Sequence, residues 1–351
     1  MTAKPGPSSE SQPVNRKALS RRRALQLGGT SLAVGLTAFL WPQARESLSG
    51  YAGDPSLRRT DGTLHSAQSP RQAPGTSPNI IFILGDNHNA GTMGCTGHPF
   101  IQTPGMDRLA GEGVLFENTF NTTSLCSPSR ASILTGAYAR NHGVRNNHTP
   151  WTGQMTTFLE YLSQGGYATA FIGKWHMPGE GLPDMPFLDL YVSYTYREGQ
   201  GAYFDCPMIV DGQEVPSRKA YISEEITDYA IEFMQENLTQ EEESRRPFCV
   251  YLSHRAGHPP FQSPEGIAGM YKDAEVRGIL PDHVDPWWYG KANRNVFQGI
   301  MMGSYHNQYR RYCETLTAMD YDIVRVLDFV DQAELRDNTV VIYMGDNGMQ
   351  W

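Results

Sequence analysis

One cysteine, Cys126, heads the run Cys126-Ser127-Pro128-Ser129-Arg130-Ala131-Ser132-Ile133-Leu134-Thr135-Gly136. Proline at a first helical position has no amide hydrogen to lose, so Ser127 is expected to cap a helix running from Pro128 to Leu134. Cys126 then lies at the positive end of the helix dipole, one turn from the Arg130 guanidinium. Such a place stabilises an anion or an activated nucleophile. A free cysteine is more often a buried, inert side chain, so its surroundings must decide its role.

Four other clusters could share that chemistry. Asp86-Asn87 and Asp346-Asn347 each follow a short apolar run and a glycine. Either pair alone reads as a turn. Together they offer four oxygen donors, a set that suits a hard divalent cation, calcium or else magnesium, better than zinc. Lys174 and His176 are two apart, so on an extended strand end they face the same side. His258 stands in Gly257-His258-Pro259-Pro260-Phe261, with His254 four residues before it.

The elements that must position these groups are legible as alternating patterns. Continuous apolar runs at Asn79–Leu84, Tyr167–Ile172, Phe248–Leu252 and Thr339–Met344 read as fully buried strands. Each delivers polar residues at its carboxyl end. Helical patterns lie between them, at 103–111, 128–136, 157–164, 223–238 and 309–332. Alternation of this kind predicts an α/β sheet, mainly parallel and covered by helices on both faces. Ligands of such sheets bind outside the carboxyl ends of the strands. The stretch from Pro178 to Val215 reads as long and irregular. The rim that selects a ligand is expected to lie partly there and around Trp287-Trp288-Tyr289, aromatics that could stack a sugar but are more often core or interface residues.

The 351 residues are 39% hydrophobic and 11% aromatic, enough for a substantial core. The formal charge of -8 hides two parts. Through Glu46 there are seven Lys/Arg against two acids, leaving 22 basic against 35 acidic residues for the remainder. An acidic body does not suit a general nucleic-acid surface, although a local basic pocket for an anion is compatible with it. The five cysteines show no C-x-x-C spacing, so neither a disulfide framework nor a zinc ribbon is expected.

At the amino terminus, Ser20-Arg21-Arg22-Arg23-Ala24-Leu25-Gln26 precedes a mildly apolar, glycine-interrupted run to Trp41. This looks like a twin-arginine export signal, with an uncleaved membrane anchor as the other reading. Residues 1–46 are therefore expected to be a targeting segment, and 47–78, rich in Ser, Gly, Pro and Arg, a flexible linker. Residues 79–351 are expected to be the folded domain, the N-terminal and incomplete part of a larger one. The expected location is periplasmic or extracellular.

The string from Cys126 to Gly136 resembles the signature of the sulfatase family, C-x-P-S-R followed by a small-residue helix and T-G. Gly-Lys-Trp-His at 173–176, the stretch Gln102 to Leu109 and Met319-Asp320 extend the resemblance over about residues 79 to 351. It implies an alkaline-phosphatase-like sulfatase core and the hydrolysis of sulfate esters on a small molecule or carbohydrate. It also implies that a formylglycine-generating enzyme oxidises Cys126 to formylglycine, whose hydrated aldehyde is the nucleophile. Asp86, Asn87, Asp346 and Asn347 would hold the metal; the family's first motif more often carries two acids where Asn87 stands. Lys174 would bind the sulfate, His176 the modified cysteine, and His258 would lie near the leaving group. In the implied mechanism one hydroxyl attacks sulfur and Asp346 takes its proton. Lys174 or His258 protonates the departing alcohol, and His176 deprotonates the second hydroxyl to expel sulfate. His142 is read as support for the cysteine helix, His254 as structural.

The family usually continues past the second Asp-Asn pair through another active-site lysine and a small carboxyl-terminal subdomain. Here the sequence ends at Trp351, so a fragment of a longer reading frame or a truncated product, with reduced or no activity, is expected. Two rival functions stand beside sulfate hydrolysis. One is a phosphonate or phosphodiester hydrolase using the same charge logic; the other is an inactive anion-binding remnant.

Overall fold

The computed structural model describes residues 77–178, 183, 185–194, 201–279, 305–349 and 351. The expected targeting segment, all but the last two residues of the linker, and Trp287-Trp288-Tyr289 lie outside the described residues. Four apolar runs form strands β1 (Asn79–Gly85), β2 (Ala168–Gly173), β6 (Phe248–Ser253) and β7 (Thr339–Gly345). Three short strands complete the sheet: β3 (Leu190–Ser193), β4 (Met208–Val210) and β5 (Gln213–Val215). The order is β5-β4-β3-β2-β6-β1-β7. From β3 to β7 all pairings are parallel, whereas β3, β4 and β5 pair antiparallel, so the sheet is mixed.

The stretch from Pro178 to Val215 is thus not wholly irregular. Its strands have three or four residues, too few to show a period. One local signal was present: β4 and β5 are joined by Asp211-Gly212, both left-handed with φ 46° and 86°. Asp-Gly is the dipeptide that a tight hairpin turn demands.

Side chains alternate between two cores, one on each face of the sheet. Ile81 and Ile83 of β1, with Phe248, Val250 and Leu252 of β6, enter the larger one. Leu84, Cys249 and Tyr251 enter the other with Phe171 of β2. Burial on both faces explains why the middles of these strands are almost wholly apolar, with Thr169 of β2 the exception. Helices α1 (Pro104–Glu112), α5 (Ile222–Leu238) and α6 (Tyr305–Gln332) supply the larger core. On α6 the residues Tyr312, Leu316, Met319, Ile323, Val326 and Val330 are buried at steps of three and four, one face of a helix. Helices α2 (Cys126–Thr135) and α4 (Phe158–Gln164) lie on the opposite face. A single turn of helix, α3 (Ala139–His142), packs against α2. No helix among the described residues is long and apolar enough to cross a membrane.

Two helix starts are secured by side chains. Thr157 caps α4 by accepting from the Glu160 amide at 3.3 Å. Helix α1 begins with Pro104 and is capped from a distance: the Gly105 and Met106 amides donate to the Asp320 carboxylate of α6 at 2.7 and 2.8 Å. The last strand is well tied, because β7 pairs with β1 at every position from Asn79–Thr339 to Gly85–Gly345.

Strand register brings the polar residues together. Gly85 lies opposite Gly345, Gly173 opposite Ser253, and Leu84 opposite Ser253, so four neighbouring strands end nearly flush. Two glycines let the chain leave that edge. Gly173 has φ +109°, and a Cβ there would stand 2.0 Å from Ser253 O; Gly257 has φ +95°, and a Cβ would stand 2.0 Å from Asp86 O. Gly173→Ala is expected to lower stability by about 2 kcal/mol or more through backbone strain and the clash. Gly111→Ala, in helix α1 with nothing within 4 Å of the added carbon, is expected to be neutral or stabilising by up to about 1 kcal/mol. Urea denaturation midpoints of the two variants check the contrast.

Candidate active site

Cys126 is the first residue of α2 and is buried. The residue before the helix is Leu125, and no side chain caps it, so Ser127 is not the cap. Its amide donates to Asn147 Oδ1 at 3.0 Å and its hydroxyl to the His176 carbonyl. Ser127 instead ties the cysteine helix to the segment after β2. The small side chains of α2 have the same explanation: Ser127, Ser129, Ala131 and Ser132 are buried, and the Ser129 hydroxyl donates to the Asp346 carbonyl.

Around Cys126 the flush strand ends place two carboxylates and two cations. Asp86 Oδ1 lies 3.6 Å from the sulfur, and one ligand atom each of Asp86, Cys126 and Asp346 fall within 4.8 Å of one another. Asn87 Oδ1 and Asn347 Nδ2 are each 3.8 Å from the sulfur. Lys174 pairs directly with Asp86 Oδ2. The Arg130 guanidinium donates to Ser253 Oγ and, at 3.0 Å, to Lys174 O. Its Nη2 stands 2.8 Å from Asp346 Oδ2 and 3.7 Å from Asp86 Oδ1. Ser253 had no signal in the sequence beyond its place at a strand end, yet it orients Arg130.

The carboxylates divide the field unequally. Burial opposes ionisation of Asp86, but Lys174, His258 and Arg130 overcome it and hold the group far below the usual carboxylate range. Asp346 is pushed up to about 6 by burial and by the neighbouring Asp86, against Arg130 and Lys174. Its Oδ1 accepts from the amides of Asn87 and Asn347 at 2.9 and 2.7 Å. Its Oδ2 is buried and makes no hydrogen bond, because Arg130 Nη2 is close but out of alignment. Two carboxylates, one with an oxygen aligned to no donor, and two amides on the same rim fit a hard divalent cation.

The thiol is a different matter. Burial pushes Cys126 up to about 12; Lys174 and Arg130 pull down, but Asp86 and Asp346 push with the burial. The helix start does not activate this thiol, because desolvation outweighs the dipole.

His176 does not continue the strand, since its φ is +54°. The two-residue alternation assumed for Lys174 and His176 therefore does not apply. Burial, then the charge of Lys174, brings His176 down to about 2. His258 is brought down to about 3 by the same two causes in the same order, so both imidazoles are neutral. His258 Nδ1 lies 2.6 Å from Pro259 O. His142 meets Ser132 Oγ of α2 at 3.0 Å, matching its reading as support for the cysteine helix. His254 is fully buried, and neither ring nitrogen has a hydrogen-bond partner among the described residues. His88 bridges Tyr343 and Thr92 O, and His98 meets Tyr309. All five cysteines are free.

Two acids, two cations and a rim of amides at the carboxyl edge of a mainly parallel sheet define an α/β protein built to hold a cation beside an anion. The sulfatase family model matches residues 78–351. An N-acetylglucosamine-6-O-sulfatase of Bacteroides thetaiotaomicron is 28% identical over 82% of this chain and 61% of its own length. Mouse arylsulfatase G is 31% identical over 77% of this chain and 51% of its own length. A solved structure described as a complex with its substrate D-glucosamine-2-N,6-O-disulfate superposes with a TM-score of 0.63 at 28% identity, covering 78% of this chain and 66% of that one. The phosphonate monoester hydrolase of Agrobacterium radiobacter, at 20% identity and a TM-score of 0.51 over 77% of this chain and 62% of that one, shares the fold. The chain belongs to the sulfatase family, within the alkaline-phosphatase-like superfamily. It spans between half and two thirds of the length of these relatives.

The pKa shifts give a cation test. Asp346 is raised, so between about pH 4 and 6 the folded chain keeps a proton that the unfolded chain has lost, and stability falls as pH rises through that window. Asp86 is depressed and acts oppositely, its contribution being lost as pH falls. A divalent cation held by Asp346 would take the place of that proton. Millimolar calcium is expected to raise the melting temperature at pH 7 and to raise it less at pH 5. A melting temperature indifferent to calcium at both pH values would rule out the cation site.

Proposed function

We propose that residues 79–351 form the catalytic part of a sulfuric ester hydrolase acting on a sulfated sugar. The observation that carries the proposal is Cys126 at the head of α2, ringed by Asp86, Asn87, Asp346 and Asn347 and by the two cations Arg130 and Lys174. The likeness to a glucosamine-6-O-sulfatase and to a structure holding a disulfated glucosamine supports a sugar ester over other sulfates.

Asp86, Asn87, Asp346 and Asn347 would hold the divalent cation, calcium in preference to magnesium, which would supply Lewis-acid charge to the ester's oxygens. Formylglycine at position 126, made from Cys126 by a formylglycine-generating enzyme, would supply a hydrated aldehyde as nucleophile. Arg130 braces Asp346 and Asp86 and keeps positive charge beside position 126. Lys174 presents an ammonium that can bind a sulfate oxygen and give a proton to the leaving alcohol. Asp346, the more easily protonated of the two acids beside Cys126, is suited to take a proton near position 126. His176, neutral, can take the proton of a second hydroxyl. His258, neutral with Nδ1 turned to Pro259 O, offers Nε2 as an acceptor near Lys174 and Asp86, so the protonation of the alcohol expected of Lys174 or His258 falls to Lys174. The twin-arginine pattern supports export to the periplasm or beyond, with residues 47–78 as the linker.

The test is expression with a formylglycine-generating enzyme, mass analysis of the peptide holding Cys126, and paired assays. Glucosamine-6-sulfate and an aryl sulfate are expected to be hydrolysed faster than a phosphonate monoester. Cys126→Ala is expected to lose at least about 10³-fold in kcat, as for removal of a nucleophile. A faster phosphonate reaction would reassign the ester. Calcium-dependent binding of the sulfated sugar without turnover, in a chain carrying the aldehyde, would replace the enzyme with a binding protein.

A further inference from the structure

We propose that Arg255 and Tyr203 are positioning residues that hold His258 in a single tautomer, Nδ1 bearing the hydrogen and Nε2 the lone pair. The inference rests on the reading of His258 as a group of the ester site.

A carbonyl oxygen can only accept, so the 2.6 Å contact between His258 Nδ1 and Pro259 O requires the hydrogen to sit on Nδ1. In a neutral imidazole Nε2 is then the sole acceptor. The carbonyl that fixes this choice is itself fixed. Arg255 Nη2 donates to the same Pro259 oxygen at 3.3 Å. Arg255 is 3% exposed and its guanidinium carbon lies 4.6 Å above the ring of Tyr203, which is 1% exposed. The Tyr203 hydroxyl donates to the His258 carbonyl at 2.6 Å, with the Arg255 carbonyl a longer second acceptor at 3.3 Å.

These contacts brace the turn from Arg255 to His258. The turn is closed by His258 N donating to Arg255 O at 3.1 Å, and it is held to the end of β1 by Asp86 N donating to Ala256 O at 3.1 Å. Gly257 N donates to Thr315 Oγ1 of α6 at 3.3 Å. Each end of the turn is thus anchored, and Tyr203, more than fifty residues earlier, holds the His258 backbone itself. A group that only filled space there would need neither a guanidinium nor a hydroxyl. The other tautomer would leave two lone pairs facing each other at Pro259 O and put the hydrogen on Nε2, so it would change what the imidazole presents without moving it.

The experiment uses the full chain labelled with ¹⁵N-histidine, read by long-range ¹H–¹⁵N correlation, with His258→Gln to assign the signal. The wild type is expected to show the Nδ1–H pattern for His258. Tyr203→Phe, which removes one oxygen, and Arg255→Ala are expected to give a mixture of tautomers, with kcat on the sulfated sugar falling about 10- to 100-fold and KM nearly constant. Arg255→Lys, which keeps a charged donor, is expected to recover most of the Nδ1–H signal. If Arg255→Ala fails to fold, Tyr203→Phe decides. An Nε2–H or cationic His258 in the wild type, or an unchanged pattern in folded Tyr203→Phe, overturns the inference. A tautomer shift in a chain that hydrolyses no sulfate ester upholds the positioning and counts against the sulfatase reading.

Discussion

Two carboxylates, Asp86 and Asp346, are fully buried a few ångströms apart, and the structure around them answers that constraint. Uncompensated, such a pair would refuse to ionise together. Arg130 and Lys174 bring equal and opposite charge, and both are themselves buried, so each ion is stable only in the presence of the others. The compensation is uneven. Asp86 has Lys174 against it and stays ionised, whereas Asp346 meets Arg130 out of hydrogen-bond alignment and sits near the point of holding a proton. That residual imbalance makes Asp346 the acid that a further positive charge beside it would favour most.

The sheet makes the four charges meet. Parallel strands with flush ends put the residues after Gly85 and Gly345 side by side, and the residue after Gly173 two strands away. Helix α2 crosses that edge with its small side chains inward, which lets Arg130 reach Ser253, Lys174 O and both acids at once. The same tight packing removes water from Cys126. Desolvation therefore reverses what the helix dipole alone would have done to the thiol.

Much of the frame was legible because its signals are local. The strands ended within one residue of their apolar runs, although β7, at the sheet edge with Val340 and Ile342 exposed, is not the fully buried strand its run suggested; the helix after Pro128 was placed by its own sequence but starts two residues earlier at Cys126. What escaped was short or non-local. Strands β3 to β5 have too few residues for a period. The cap on α1 comes from Asp320, more than two hundred residues away, and Ser127 bonds across to His176 instead of capping its own helix. The left-handed backbone at His176 broke an alternation that the residue spacing suggested.

By itself, then, the sequence determined which residues are chemically able to act, Cys126, the two Asp-Asn pairs, Arg130, Lys174, His176 and His258, and that buried strands deliver most of them to one edge. Those facts come from residue type and short-range pattern. Tertiary structure alone decided the protonation balance of the two acids, the inertness of the thiol, the part of Ser253 and the hold of Tyr203 and Arg255 on the His258 turn. Each of those depends on burial and on distances between residues far apart in the chain, and neither quantity is encoded in local spacing.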